Sequence, residues 1–137
     1  MSAAYLSTGE FILTAPRSAS VPAIVPVVIC VARDPANAGS YIASFGYARA
    51  DGAPVVRVPY ASSGAMLNYV TVGDHPLPPE YGVPTEFVAG FQRDQFAVRA
   101  LETQSITWRL TSDQTRSAVA TSITQPVCAD VPQAPQR

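Results

Sequence analysis

Ser40-Tyr41-Ile42-Ala43-Ser44-Phe45-Gly46-Tyr47-Ala48-Arg49 alternates residue by residue. Tyr41, Ala43, Phe45 and Tyr47 fall on one side at period two, and Ile42, Ser44, Gly46 and Ala48 fall on the other. A helix would scatter this aromatic row around its axis, whereas a pleated strand lines it up on one face. Gly39 before the stretch and Asp51-Gly52 after it carry turn chemistry. The stretch reads as a half-buried strand and predicts a sheet protein.

Working outward, the same kind of signal recurs. On the N-terminal side, residues 27–32 are continuously apolar and mostly β-branched, the pattern of a strand covered on both faces. Pro22 and Pro26 cannot donate to a ladder, so they confine its start to an edge or an entry segment. On the C-terminal side, Val55-Val56-Arg57-Val58 is a short strand ended by Pro59. Leu67, Tyr69 and Thr71 then alternate with Met66, Asn68, Val70 and Val72. Residues 73–84 hold His75 and four prolines, the longest irregular stretch and the kind that carries binding function. Residues 85–88 are a short extended piece. Phe96, Val98 and Ala100 share a face, as do Ile106, Trp108 and Leu110, set against Thr107 and Arg109. Residues 117–124 close the series.

Short strands with turns about every 8–12 residues point to an all-β fold, an Ig-like or jelly-roll-type antiparallel sandwich of about seven to nine strands. Phe45, Tyr47, Phe96, Ile106, Trp108 and Leu110 are its expected core. Trp108 lies near the second cysteine rather than the first, so the immunoglobulin likeness is one of architecture and not of order. The expected organisation is an extended N-terminal arm and linker over 1–20, the sandwich over 21–128 and a tail over 129–137.

In the arm, Glu10, Phe11, Ile12, Leu13 and Thr14 form a short strand with Phe11 and Leu13 opposing Ile12 and Thr14. The small-residue hinge Pro16-Arg17-Ser18-Ala19-Ser20 follows. Such a strand is either an edge of its own domain or an arm that completes a neighbour's sheet by strand addition.

The chain has 137 residues, enough for one domain with a core that removes roughly 70% of its unfolded surface from water. Charged residues make up 14%, low against the usual ~25%. A net charge of −1 gives no electrostatic case for nucleic acid or acidic lipid. All 9 basic residues are arginine, which reflects either base composition or a surface that packs against its own copies. No run reaches the ~18 apolar residues of a membrane span, and no charged and apolar leader follows Met1. An exported protein would therefore have lost its signal; with a native Met1, a virion decoration or fibre protein fits better.

Cys30 and Cys128 lie near opposite ends of the sandwich segment. A bridge between them would close most of the chain into one loop, and would imply an oxidising compartment. Two buried thiols are the other arrangement. With no paired cysteine motif and one histidine, no zinc site is expected.

No reaction set emerges. His75 has no positioned nucleophile. Nothing in the spacing of Glu80, Glu86, Asp94 and Glu102 pairs two carboxylates. Asp34, Asn37 and Gly39 are too sparse for a calcium loop. Tyr41, Phe45, Tyr47, Tyr60, Tyr69 and Tyr81 would make a sugar platform only if they met at the surface, whereas sandwich core with hydroxyls at the rim is their commoner use. No catalytic residue, cofactor or metal is expected.

The ordered series Cys30, Phe45-Gly46-Tyr47, Val58-Pro59, Asn68-Tyr69, Pro84-Thr85-Glu86-Phe87-Val88-Ala89-Gly90, Thr107-Trp108-Arg109-Leu110 and Cys128 resembles a module of bacterial secreted and surface proteins. The likeness runs from about Val27 to Cys128 and leaves out the arm. The chain departs from it at Ala48-Arg49, where asparagines are usual, and at Ala89, where a proline is common. The resemblance implies a non-catalytic sandwich used as a structural or adhesive unit outside the cell. The expected function is an extracellular, self-assembling subunit whose partner is itself. The alternatives are an adhesive module for a glycan or protein, and a virion component.

Overall fold

The computed structural model describes residues 21–50, 52 and 54–135. The predicted arm strand, residues 10–14, lies outside the described residues. Nine strands occur among them: β1 Ile24–Arg33, β2 Ser40–Arg49, β3 Val56–Arg57, β4 Asn68–Val72, β5 His75–Pro76, β6 Glu86–Phe87, β7 Gly90–Leu101, β8 Ile106–Thr111 and β9 Thr115–Ala120. A short 3₁₀ turn, Pro79–Tyr81, precedes β6. The strands form sheets ordered β9-β8-β4-β5, β1-β2-β7 and β3-β6, with every strand pair antiparallel. The fold is all-β and of sandwich type, as the alternation predicts. Pro26 lies within β1, which is an edge strand, the placement its missing N–H requires.

The period-two rows supply the interior. Tyr41, Ala43, Phe45 and Tyr47 of β2 meet Phe96, Val98 and Ala100 of β7 and Ile106, Trp108 and Leu110 of β8. All six predicted core residues are buried. Phe45 stacks on Phe96 at 5.2 Å between centroids, and Trp108 stands edge-on to Phe96 at 5.0 Å. Each such side chain withdrawn from water contributes about 1.5–3 kcal/mol. The Tyr41 hydroxyl stitches the sheets together, lying 2.7 Å from the Gln104 carbonyl and 3.1 Å from that of Ala120. Burial pushes its pKa up to about 12.

One polar side chain is built into this interior. Asn68 is fully buried, yet each of its amide atoms has a partner. Its Nδ2 donates to the Val58 carbonyl at 2.9 Å and to that of Pro84 at 2.7 Å, and its Oδ1 accepts from Trp108 Nε1 at 2.8 Å. A buried amide so satisfied fixes which loops lie against β4. It ties the ends of the β3 and β6 segments to the tryptophan.

Residues 73–84 are less irregular than their prolines suggest. Leu77, Tyr81 and Val83 are buried, and the Tyr60 hydroxyl donates to the Leu77 carbonyl at 2.6 Å. This loop is anchored to the body by its own apolar side chains. The tail differs from expectation too, since residues 129–135 do not simply trail away from the sandwich. They lie along the outer face of β1-β2-β7, where they matter for the candidate site.

Candidate functional site

The outer face of β1-β2-β7, turned away from the interior, divides into two halves at Gly46. Two irregularities meet there. β1 shifts register between Val28 and Cys30, leaving Ile29 unpaired. β7 shifts opposite Phe45 and Tyr47, leaving residues 93–95 unpaired, with Asp94 at φ 51°. The β7 bulge passes so close over β2 that a β-carbon on Gly46 would lie 2.3 Å from the Gln92 carbonyl oxygen and 3.1 Å from Ile29 Cδ1. Only glycine fits. Bulges of this kind re-aim side chains, and the one at Ile29 reverses the parity of β1. Val28 pairs with the inward Phe45, whereas Cys30 pairs with the outward Ser44.

Cys30 therefore emerges on the outer face, where it is bonded to Cys128 with 4.8 Å between the Cα atoms. Trp108, by contrast, packs in the interior against Phe45, Phe87 and Phe96. The bridge joins a sheet to the chain's C-terminal segment instead of joining two sheets, so the likeness to the immunoglobulin disulfide goes no further than the cysteine pair.

Beyond Gly46 towards Arg33, the C-terminal segment straps the sheet. The Val31 amide donates to the Pro126 carbonyl and the Cys128 amide to the Val31 carbonyl, both at 3.0 Å, a parallel bridge on the β1 edge. Arg99 Nη1 donates to the carbonyls of Ala134 at 3.2 Å and Pro135 at 3.0 Å. Its Nε also pairs with the Asp34 carboxylate, whose second partners are Asn37 Nδ2 and the Ala36 amide, both at 2.9 Å. Burial opposes ionisation of Asp34. The hydrogen bonds from Asn37, Arg99 and Ala36, with the charge of Arg99, outweigh it and hold the carboxyl below its ordinary value. Thus Asp34 and Asn37, weighed above as calcium ligands, fold their own turn and position Arg99. Under the strap lie the cross-strand rows Cys30-Ser44-Ala97 and Ala32-Ile42-Arg99. Ser44 and Ile42 are as buried as the interior. A cleft of about 510 Å³ remains between the strap, Ser44 and the β7 bulge. There the Ser44 hydroxyl donates to Asp94 Oδ1 at 2.7 Å.

The other half carries no strap. Val25, Ala48 and Phe91 are directly opposite one another across the three strands, so their side chains share the outer face. Val25 is 40% and Phe91 55% exposed, with the small Ala48 between them. Together with Ala23, Ala50 and Gly90 they line an open apolar groove of about 360 Å³. The Arg93 guanidinium stands 5.7 Å from the centre of the Phe91 ring, a cation at the groove's rim. Behind the groove, the Arg49 side chain turns inward and Nη1 donates to the Phe87 carbonyl at 2.6 Å. The groove borders the free side of β7, the other edge of the sheet, which pairs with no further strand among the described residues.

The residues considered for chemistry are scattered. Glu86 pairs with Arg57 at 3.4 Å, Glu102 with Arg33 at 3.1 Å, and Asp94 with Ser44, each at its own place on the surface. His75 is exposed in β5. Among the described residues no three His, Cys, Asp or Glu side chains converge as metal ligands, and no helix is long and apolar enough to cross a membrane. Tyr41, Tyr47 and Tyr81 are buried, with Phe45 in the core, so the tyrosines are not gathered into a surface platform. The arm aside, sequence reading missed the Val25-Ala48-Phe91 row. Its members belong to three strands and are brought together only by register.

No family model, curated protein or solved structure matches this chain.

Proposed function

We propose that the chain is an extracellular structural subunit that assembles with copies of itself, through strand complementation by its N-terminal arm. The observation that carries this reading is β7. It is a twelve-residue strand, Gly90–Leu101, at the edge of its sheet, with an apolar groove beside one end. An edge strand offers unpaired backbone groups to any extended segment. The arm residues Glu10, Phe11, Ile12, Leu13 and Thr14 supply such a segment with alternating apolar side chains. The disulfide supports the compartment, because such bridges persist where the surroundings are oxidising.

A contact of this kind joins two different surfaces, so it grows head to tail into a filament unless rotation closes a ring. Main-chain hydrogen bonds supply affinity, and alternate side chains filling pockets supply register. The test is deletion of residues 1–17, read by light scattering and electron microscopy. The full chain is expected to polymerise and the truncated one to remain folded, disulfide-bonded and monomeric. A truncated chain that still polymerises refutes the reading.

A further inference from the structure

We propose that the Val25-Ala48-Phe91 groove is the acceptor for the arm of a second copy, taking Phe11 and Leu13 against its outer face. This rests on the reading above and names its receiving surface. The strapped and bare halves belong to one sheet face, and the chain roofs one of them with residues 126–135. The bare half is flanked by Ala23, close to where residues 1–20 join the body. That stretch is the one long segment outside the described residues, and it carries the apolar triplet Phe11-Ile12-Leu13.

The chemistry of the groove fits that occupant. Ala23, Val25, Ala48, Arg49, Ala50, Gly90 and Phe91 line it, no carboxylate among the described residues does, and Arg93 stands over the Phe91 ring. A strand laid along β7 at Gly90, Phe91 and Gln92 sets every second side chain beside Phe91. Phe11 and Leu13 are two apart, so both fall on the groove side, with Glu10, Ile12 and Thr14 on the other. The bulge at residues 93–95, with Asp94 in the left-handed region, breaks the β7 edge beyond this point. Bulges and charges guard edges against non-specific pairing, and this one separates the stretch beside the groove, residues 90–92, from the regular run at residues 96–101.

The experiment uses two full-length or near full-length chains with complementary defects. Phe91→Asp keeps the arm and spoils the groove; deletion of residues 1–17 keeps the groove and removes the arm. Val25→Arg provides a second groove variant. Phe91 and Val25 are both exposed, so neither substitution empties the core. Each defective chain alone is expected to be monomeric, with self-association weakened at least tenfold. An equimolar mixture of the two is expected to stop at a one-to-one heterodimer. If both groove variants polymerise like the parent while the truncated chain does not, the groove assignment fails and the arm reading stands. If the truncated chain polymerises, both fail. If the parent is monomeric and its Phe11–Leu13 amides are protected from exchange until Phe91 is replaced, the groove is filled by its own arm and the assignment to a second copy is overturned.

Discussion

The two halves of the β1-β2-β7 outer face are made of the same strands, yet they are treated in opposite ways. On the Arg33 side, Ser44 is 2% and Ile42 1% exposed, because the C-terminal segment is bonded, bridged and hydrogen-bonded over them. On the Ala23 side, Phe91 is 55% exposed beside an open groove. A sheet covered on both faces needs apolar or small residues at both parities, and the outward row of the exposed half, Val25, Ala48 and Phe91, is apolar throughout. That half is thus exposed without being a polar face. It has the composition of a covered surface, which is why we propose a partner for it.

The largest expected effect comes from cutting the strap. The Cys30–Cys128 bridge spans 98 residues of sequence. A loop of about that length is worth roughly 4–5 kcal/mol on the chain-entropy estimate, and measured values are often lower. Double replacement by serine, followed by urea unfolding, is expected to show a loss of a few kcal/mol and rapid proteolysis within residues 126–135. The groove lies on the other side of Gly46, so the assembly of whatever fraction stays folded is expected to survive. Loss of assembly in fully folded serine variants would break the division into halves.

A smaller effect is expected at the boundary itself. Gly46→Ala drives a methyl group into the Gln92 carbonyl, which is backbone and cannot swing aside. Overpacking of this kind costs about 1–3 kcal/mol. Relief requires the β7 bulge to lift, so the disturbance spreads to Arg93 and thus to the Phe91 ring. Gly46→Ala is expected both to destabilise the fold and to weaken assembly, whereas the serine variants do only the first. Equal assembly in Gly46→Ala and the parent would show that the bulge does not support the groove.

Much of the fold was legible because its core is written locally. The rows through Phe45, Phe96 and Trp108 follow period two within single strands, and the cysteine pair was visible as a pair. The strap and the groove were not, since both depend on which parity faces out. The extra residue at Ile29 turns Cys30 outward, and no local feature of the apolar run 27–32 marks where that residue falls. Asn68 shares a row with Met66, Val70 and Val72, and its partners Val58, Pro84 and Trp108 are distant in sequence, so nothing local names them. The first part of β7 lacks alternation because residues 93–95 are bulged, so only the Phe96-Val98-Ala100 row marks the strand. The Val25-Ala48-Phe91 row is a property of register, and register is a non-local fact.

The smallest effect expected is the response of the strap to acid. Asp34 is held below the usual carboxylate range in the folded chain, so its contribution to stability is fully present above its unfolded value of about 4. It is lost as pH falls through the lower, folded value. The loss acts on one half only, since protonated Asp34 releases its hold on Arg99, and Arg99 carries the carbonyls of Ala134 and Pro135. The carbonyl carbon resonances of Ala134 and Pro135, the acceptors of Arg99, are therefore expected to move towards their unfolded positions as pH falls below about 4, ahead of any change in β8. Asp113, pulled down to about 2 by its hydrogen bond from Arg116, titrates at the far β8-β9 turn, so acid alone does not isolate Asp34. Asp34→Asn does. It keeps an acceptor for Arg99 but removes the charge, so its Ala134 and Pro135 carbonyl resonances should already be shifted from the parent's at pH 6 and should change less on acidification. An identical pH response in the two chains would mean that the bridge and the Val31 contacts hold the strap by themselves, and that the ion pair only orders the turn at residues 34–37.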